Sequence, residues 1–364
     1  MKIGVHKIPM ASPDDTSALA DLLDRGALRA DDIVAVIGKT EGNGGANDFT
    51  RGYATLAFKL LLAGRLSTTP DEIGKRVIFI WSGGTEGVLA PHATVFTRTA
   101  ETGAAAEKRL ALGRAESRAL APEEVGTVAQ VDVVTETVAR ALADAGIADL
   151  ADVHYVQVKG PLLTGAAIAD ADRRGATLAT RDPNGSKPLA RGAMALGVAV
   201  ALGEVDRRAI TNATIGRDLD LFSRVAATSA GGELKTCEVL VLGNSAASAS
   251  DTRIGHAVLQ DVLDADGLRA AIADAASGKG TAPVGADDVA IVFAKAEASP
   301  TGRLRGWRNT MLSDADIHYE RHARAALGAV IASVTGDPAI FVSGGTEHQC
   351  APGDAPVAVI VRRG

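Results

Sequence analysis

Aromatic residues make up only 3% of this 364-residue chain, so its core must be packed from alanine, glycine and aliphatic side chains. Cysteine is nearly absent. Cys237 and Cys350 make neither a metal-ligand spacing nor a disulfide framework, and both are expected to be packing residues. There is no excess of basic charge; the net charge of −6 argues against a nucleic-acid partner. No apolar run approaches the roughly 20 residues of a membrane span, so no membrane partner is expected. The opening residues Met1 to His6 read as a first strand and not as a signal peptide. What is present, 46% hydrophobic and 23% charged residues, fits a cytoplasmic globular enzyme or binding protein with two or three domains.

One short motif occurs twice, as Ser82-Gly83-Gly84-Thr85-Glu86 and as Ser343-Gly344-Gly345-Thr346-Glu347. Each copy follows a short apolar run, at residues 77–80 and 339–342, which marks a buried strand delivering a serine into a glycine turn. Two distant copies point to an internal repeat.

The order of elements supports that repeat. A helix pattern over residues 14–30 is followed by a strand from Asp32 to Lys39, the turn Gly42-Asn43-Gly44-Gly45, and a helix from Arg51 to Leu62. Then come the strand ending at Ser82 and a last strand from Ala93 to Arg98. The same order returns as a helix over 131–146, a strand from Val153 to Lys159, and Arg191-Gly192 opening a helix from Ala193 to Gly203. A strand ending at Ser229 and a strand from Glu238 to Gly243 complete that round. It returns once more as a helix over 255–276, a strand from Val289 to Lys295, and a helix carrying Arg321, Arg324 and Leu327. The strand to Ser343 and the strand from Val357 to Arg362 end the chain. Residues 100–125 and 246–256 read as linkers, with Lys108, Arg109, Arg114 and Arg118 on a solvated helix face. The expected fold class is α/β: three pseudo-equivalent repeat units, residues 1–103, 112–249 and 255–364, around a pseudo-threefold axis. Strands would meet centrally with helices outside, and the period is too long for a solenoid.

Each unit offers a lysine (Lys39, Lys159, Lys295), a serine (Ser82, Ser229, Ser343) and an arginine. A serine hydroxyl needs a base to become a nucleophile, and a desolvated lysine can be that base. Gly83, Ala230 and Gly344 follow the serines and would offer backbone N–H groups to an oxyanion, while arginines would clamp ligand carbonyls. The plain alternative is that these residues merely end strands. No Ser/His/Asp constellation and no Gly-x-Ser-x-Gly elbow competes with this reading. The His318 to His322 stretch lacks the His-Glu-x-x-His order, the Gly42 turn lacks a phosphate-loop ending, and His92 reads as structural.

Over essentially its whole length the chain resembles the cyanuric acid hydrolase and barbiturase family of ring-opening amidohydrolases. The residues that carry the likeness are Gly38 to Gly44, Ser82 to Val88, Val156 to Lys159, Arg191-Gly192 and Ser343 to Gln349. The resemblance implies three domains around one site, with three Ser-Lys pairs and three arginines surrounding a small cyclic imide. It implies hydrolytic opening of cyanuric acid to carboxybiuret, which decarboxylates to biuret, or of barbituric acid to ureidomalonate. A binding protein that senses such an imide without hydrolysing it is the alternative of another class. Carried over, Lys39, Arg51 and Ser82, Lys159, Arg191 and Ser229, and Lys295 and Ser343 match directly, with Arg324 preferred to Arg321 as the third arginine. Ser229 departs from the pattern because Ala230-Gly231-Gly232 follows it, but Glu233 keeps the offset of Glu86 and Glu347.

One pair must react while the others bind. Glu41 and Glu297 lie two residues beyond Lys39 and Lys295, on the same face of an extended strand, where they would hold those lysines protonated. Lys159 is followed by Gly160-Pro161 instead, so Lys159 and Ser229 are expected to be catalytic, as the resemblance also implies. No organic cofactor is expected. The resemblance also implies a structural Mg2+ or Ca2+ held by Glu297 with Thr346, Gln349, Cys350, Ala351 and Asp354, against the simpler alternative of a Glu297–Lys295 ion pair. The chain is expected to form a homo-oligomer, a tetramer.

Overall fold

Each serine strand lies parallel to its lysine strand, and this pair is the seed of every large sheet. The computed structural model describes residues 1–101, 107–277 and 285–363; the expected unit ends at 103 and 364 lie outside the described residues. The first sheet has the order β1-β4-β2-β3, built from β1 (Lys2–Pro9), β2 (Ile33–Thr40), β3 (Ile78–Gly83) and β4 (His92–Thr99). Its helices are α1 (Ser17–Asp24), α2 (Thr50–Leu66) and α3 (Pro70–Arg76). The second has the order β5-β8-β6-β7, with β5 (Arg109–Glu116), β6 (Val153–Pro161), β7 (Ala226–Gly231) and β8 (Glu238–Ser245). Its helices are α4 (Val128–Ala145), α5 (Gly165–Arg174) and α6 (Pro183–Ala201). The third has the order β9-β14-β10-β13, with β9 (Thr252–Leu259), β10 (Val289–Ala296), β13 (Phe341–Gly344) and β14 (Ala355–Arg362). Helices α7 (Ala265–Ala276) and α8 (Tyr319–Thr335) accompany it, with a small ribbon of β11 (Arg303–Leu304) and β12 (Trp307–Arg308). In every sheet only the lysine and serine strands are parallel; the other pairings are antiparallel.

Period-2 alternation sorts the core into layers. Ala35, Ile37, Ile78, Ile80, Leu240, Leu242, Ile291, Phe293, Phe341 and Ile360 belong to one apolar cluster shared by all three sheets. Their strand neighbours, such as Val36, Val241 and Val292, face outward into three separate clusters, each built mainly from one sheet and its own helices, with Leu89 of the β3–β4 connection joining the third. Aromatics are few, yet four meet at the shared centre. Phe293 stacks on Tyr155 at 4.9 Å and on Phe96 at 6.4 Å, and meets Phe341 edge-on at 5.9 Å.

Several sequence expectations need correction. Residues 109–116 form β5 rather than a linker with a basic helix face, because Leu110 and Leu112 alternate into the shared core while Ala111 and Gly113 pack on the other side against α4. Residues 252–259 form β9, paired along its length with β14; the helix expected from 255 begins only at Ala265, where Asp264 caps it by accepting from the Gly267 N–H. The helix expected over 14–30 is confined to Ser17–Asp24, ended by Gly26 at φ 67°. Arg191 does not open a helix. Asp182 caps α6 and Pro183 sits in its first turn, where a proline's fixed φ suits a helix, so Arg191 lies in mid-helix.

Candidate active site

The same alternation that sorts the core aims the chemistry. Lys39 continues the inward series Ala35, Ile37; Lys159 continues from Tyr155; Lys295 continues Ile291, Phe293. Ser82, Ser229 and Ser343 extend their strands' inward series likewise. Register then sets each lysine beside its serine, as Lys39 with Ser82, Lys159 with Ser229 and Lys295 with Ser343. All six lie near the carboxyl ends of parallel strands, the usual place for a ligand site.

The lysines are buried, and each reaches across to another sheet. Lys39 donates to the Val342 carbonyl at 2.7 Å, Lys159 lies 3.5 Å from the Trp81 carbonyl, and Lys295 donates to Thr228 O at 2.8 Å. Val342, Trp81 and Thr228 each immediately precede a serine of the set. Lys39 also donates to Ser82 Oγ at 3.1 Å, and Lys295 to Gly344 O at 2.8 Å.

The arginines make a second ring in the opposite sense. Arg51 Nε is 3.5 Å from Glu233, Arg191 donates to Glu347 at 2.6 and 2.8 Å, and Arg324 is bidentate to Glu86. These glutamates are the ones four residues after each serine. Arg321 also touches Glu86, but its side chain is 44% exposed against 4% for Arg324. Gly345, at φ 80°, must be glycine because a Cβ there would meet the Arg191 guanidinium. Gly84, two residues after Ser82, has φ 103°, whereas Gly231, two after Ser229, continues β7 without a positive φ. The sequence departure at Ser229 is thus a change of backbone.

A cavity at this centre is lined by Arg51, Ser82, Gly83, Lys159, Arg191, Ser229, Ala230, Arg324, Ser343 and Gly344. Lys39 and Lys295 do not line it; their ammonium groups are occupied behind it. Sequence reasoning missed four further lining residues, Gly44, Trp81, Lys187 and Glu320. Lys187 and Glu320 also line an adjoining vestibule with Asn43, Tyr319 and Arg321. Glu320 accepts from Arg191 at 3.0 Å, so the stretch set aside for lacking a zinc motif carries a site residue. A position four residues before Arg191 on the same helix was the available signal for Lys187, since Lys187 and Arg191 lie one turn apart. Among the described residues lining the cavity, three have a buried polar side-chain atom with no hydrogen-bond partner: Ser229 Oγ, Arg51 Nε and Trp81 Nε1. Each such atom costs free energy unless a ligand or water satisfies it.

Electrostatics overturn the discriminator expected from the sequence. Glu41 is exposed past the end of β2, and the groups acting on Lys39 are Arg324, Glu86, Asp48 and Lys295. Lys159, expected to lack a carboxylate, has Glu233 at 3.1 Å, and among the described residues Lys39 and Lys295 have none within ion-pair distance. Burial still lowers the Lys159 pKa, with Glu233 opposing and Arg51 assisting. Burial and Arg324 push Lys39 well below its usual value, and burial and Arg191 bring Lys295 to about 7. Burial would raise Glu233, but Lys159 and Arg51 hold it down to about 2.

The residues expected around a cation are close by. The Glu297 carboxylate accepts from the Thr346 N–H at 3.3 Å and is pushed up to about 7 by burial and by Glu347 and Glu320. No Glu297–Lys295 ion pair forms. The Gln349 side chain is committed to the Thr228 N–H and Gly345 O, and the Cys350 thiol donates to Asp354 O at 3.3 Å. Burial pushes that thiol and the Cys237 thiol to about 12, so both stay protonated. The Asp354 carboxylate and backbone oxygens of 346–354 remain to join Glu297, a hard-oxygen set that fits Mg2+ or Ca2+.

A cyclic amide hydrolase from Azorhizobium caulinodans is 64% identical over 100% of both chains. A cyanuric acid amidohydrolase from Enterobacter cloacae is 49% identical, again over 100% of both. A solved cyanuric acid hydrolase structure superposes with a TM-score of 0.93 at 47% identity, covering 99% of each chain. The model of the amidohydrolase ring-opening protein family matches residues 4–362, and with these rings of lysine and arginine at its centre the chain belongs to that family of cyclic-amide hydrolases.

Proposed function

We propose that this enzyme opens cyanuric acid by hydrolysis, with Ser229 as nucleophile and Lys159 as general base. The observation that carries this assignment is the unpartnered, buried Ser229 hydroxyl in a cavity that only Lys159 of the three lysines lines. Neutral Lys159 takes the Ser229 proton as Oγ attacks a ring carbonyl, and the Ala230 N–H helps hold the oxyanion. The ring C–N bond breaks and the leaving nitrogen takes the proton back from Lys159, leaving a carbamate ester on Ser229. Water, deprotonated by Lys159, then releases carboxybiuret, which loses CO2 to give biuret. Arg51, Arg191 and Arg324, with Ser82 and Ser343, hold the remaining polar edges of the ring, so orientation supplies much of the rate.

Three units of residues 1–103, 112–249 and 255–364 around a pseudo-threefold axis are part of the same reading. Its support is the identical strand order of the three sheets and the two cyclic sets of contacts. So are a cytoplasmic homotetramer and a structural Mg2+ or Ca2+ at Glu297, which would relieve the repulsion among Glu297, Glu320 and Glu347.

A second assignment has one observation in its favour: Lys39 and Ser82 are the pair already hydrogen-bonded, at 3.1 Å. Lys39 is sealed behind the cavity, however, and catalytic hydrogen bonds often tighten only with substrate bound. Steady-state assays with cyanuric and barbituric acids on the wild type and Lys159→Met test the proposal. Turnover of cyanuric acid that vanishes in the variant supports it. Preference for barbituric acid would change the substrate, and tight binding without turnover by the wild type would make the chain a sensor.

A further inference from the structure

His154 stands where the other two sheets carry an aliphatic residue. The pairing of β6 with β8 slips between Val153 and Tyr155, making His154 the extra residue of a β-bulge. The same slip makes Val34 and Ala290 the extra residues of β2 and β10, and both turn into the shared apolar core. His154 instead meets His256 of β9, with the two Nδ1 atoms 2.9 Å apart. Asp274 of α7 closes the group, its Oδ2 3.5 Å from His154 Nδ1 and accepting the His256 backbone N–H at 3.0 Å. All three ligand atoms lie within 4.8 Å of one another.

We propose that His154, His256 and Asp274 bind a divalent first-row transition ion, Co2+, Ni2+ or Zn2+, that pins the second sheet to the third. Two imidazole nitrogens and one carboxylate oxygen are an intermediate donor set, suited to these ions and not to Mg2+ or Ca2+, which take oxygen alone. An ion about 2.1 Å from both nitrogens sees them roughly 90° apart, the angle between neighbouring ligands of a six-coordinate ion. A tetrahedral ion needs the nitrogens to open by about 0.5 Å. The Asp274 side chain is 43% exposed, so water reaches the remaining positions. Burial and the facing His256 push His154 down to about 4 against the opposing charges of Asp274 and Asp152, and burial lowers His256 too. Both imidazoles therefore keep a free lone pair at neutral pH. His154 lies five residues before Lys159 on β6, about 16 Å along the strand, so the ion is structural and takes no part in ring opening.

The test is a Co2+ titration of the tag-free full chain, stripped of metal and held in millimolar Mg2+ to fill oxygen-only sites. Calorimetry and the visible d–d absorption of Co2+ are recorded together. One Co2+ per chain is expected, with a rise in melting temperature. His154→Ala and His256→Ala should each weaken binding by more than about tenfold while metal-free imide hydrolysis stays at the wild-type rate. Asp274→Asn keeps the side-chain oxygen near the His256 N–H but removes the anionic ligand, so it still reports if an alanine variant misfolds. Equal Co2+ binding by the wild type and the double His variant, or no stoichiometric binding at all, overturns the proposal.

Discussion

Lys295 donates from Nζ to the carbonyl oxygen of Thr228 at 2.8 Å, and Thr228 immediately precedes Ser229. A lysine of the third sheet therefore fixes the strand that carries the proposed nucleophile of the second. Lys295→Met leaves Thr228 O and Gly344 O without this donor. Each buried group left unpaired costs about 1–3 kcal/mol, so the melting temperature should fall and kcat should drop with it. Lys159→Met should abolish turnover, and its thermal shift should come from the Glu233 carboxylate, left with Arg51 as its ion-pair partner, more than from the longer backbone contact at 3.5 Å. Thermal denaturation beside steady-state kinetics measures both.

The third clamp is tested by comparing neighbours on α8. Arg321→Ala removes a 44% exposed partner of Glu86, and stability should change by no more than about 0.5 kcal/mol with KM near normal. Arg324→Lys removes a buried bidentate fork and should raise KM by roughly tenfold or more. A reversed order in the two KM values would move the clamp to Arg321.

A neutral Lys159 gives the pH profile a definite sign. Activity should rise with pH through an apparent pKa below the usual 10.5, because burial lowers this lysine. Glu233 opposes that lowering, so Glu233→Gln should move the acidic limb of kcat to lower pH. A limb that moves to higher pH, or stays fixed, would separate Lys159 from the titrating base.

Glu238 pairs in register with Lys159, has a buried Oε2 with no partner, and is pushed up to about 8 by burial and by Glu116. Its folded pKa is raised above the ordinary carboxylate value of 4.5, so its contribution to stability is fullest at low pH and is lost as pH rises toward 8. Glu238→Gln should match the wild type in melting temperature near pH 4. It should gain an advantage on the order of 1–3 kcal/mol by pH 8 and hold it above. Parallel melting curves across pH would show the widening gap.

The inward-facing residues were the legible part of this chain. Lys39, Lys159 and Lys295, and their serines, end strongly apolar strands, and parity alone then places them on one face. Strands β5 and β9 were not legible, because charged or small residues occupy their outer faces and the partner strands lie more than 90 residues away. The start of α6 was hidden by Pro183 and Pro188, which read as loop residues until the Asp182 cap is seen. The Glu41 argument failed because β2 ends at Thr40, so the extended geometry it assumed stops one residue short. Glu233 beside Lys159 is a contact made by a turn folding back, which no spacing along the strand encodes.

The central claim is that Ser229 attacks while Ser82 and Ser343 bind. The most direct measurement is kcat for cyanuric acid in Ser82→Ala, Ser229→Ala and Ser343→Ala, each with its binding isotherm. Ser229→Ala should lose kcat by at least about 1,000-fold while still binding the imide, and the other two should lose affinity yet keep measurable turnover. Turnover that survives in Ser229→Ala and disappears in Ser82→Ala would contradict the account and make the hydrogen-bonded Lys39–Ser82 pair the catalyst.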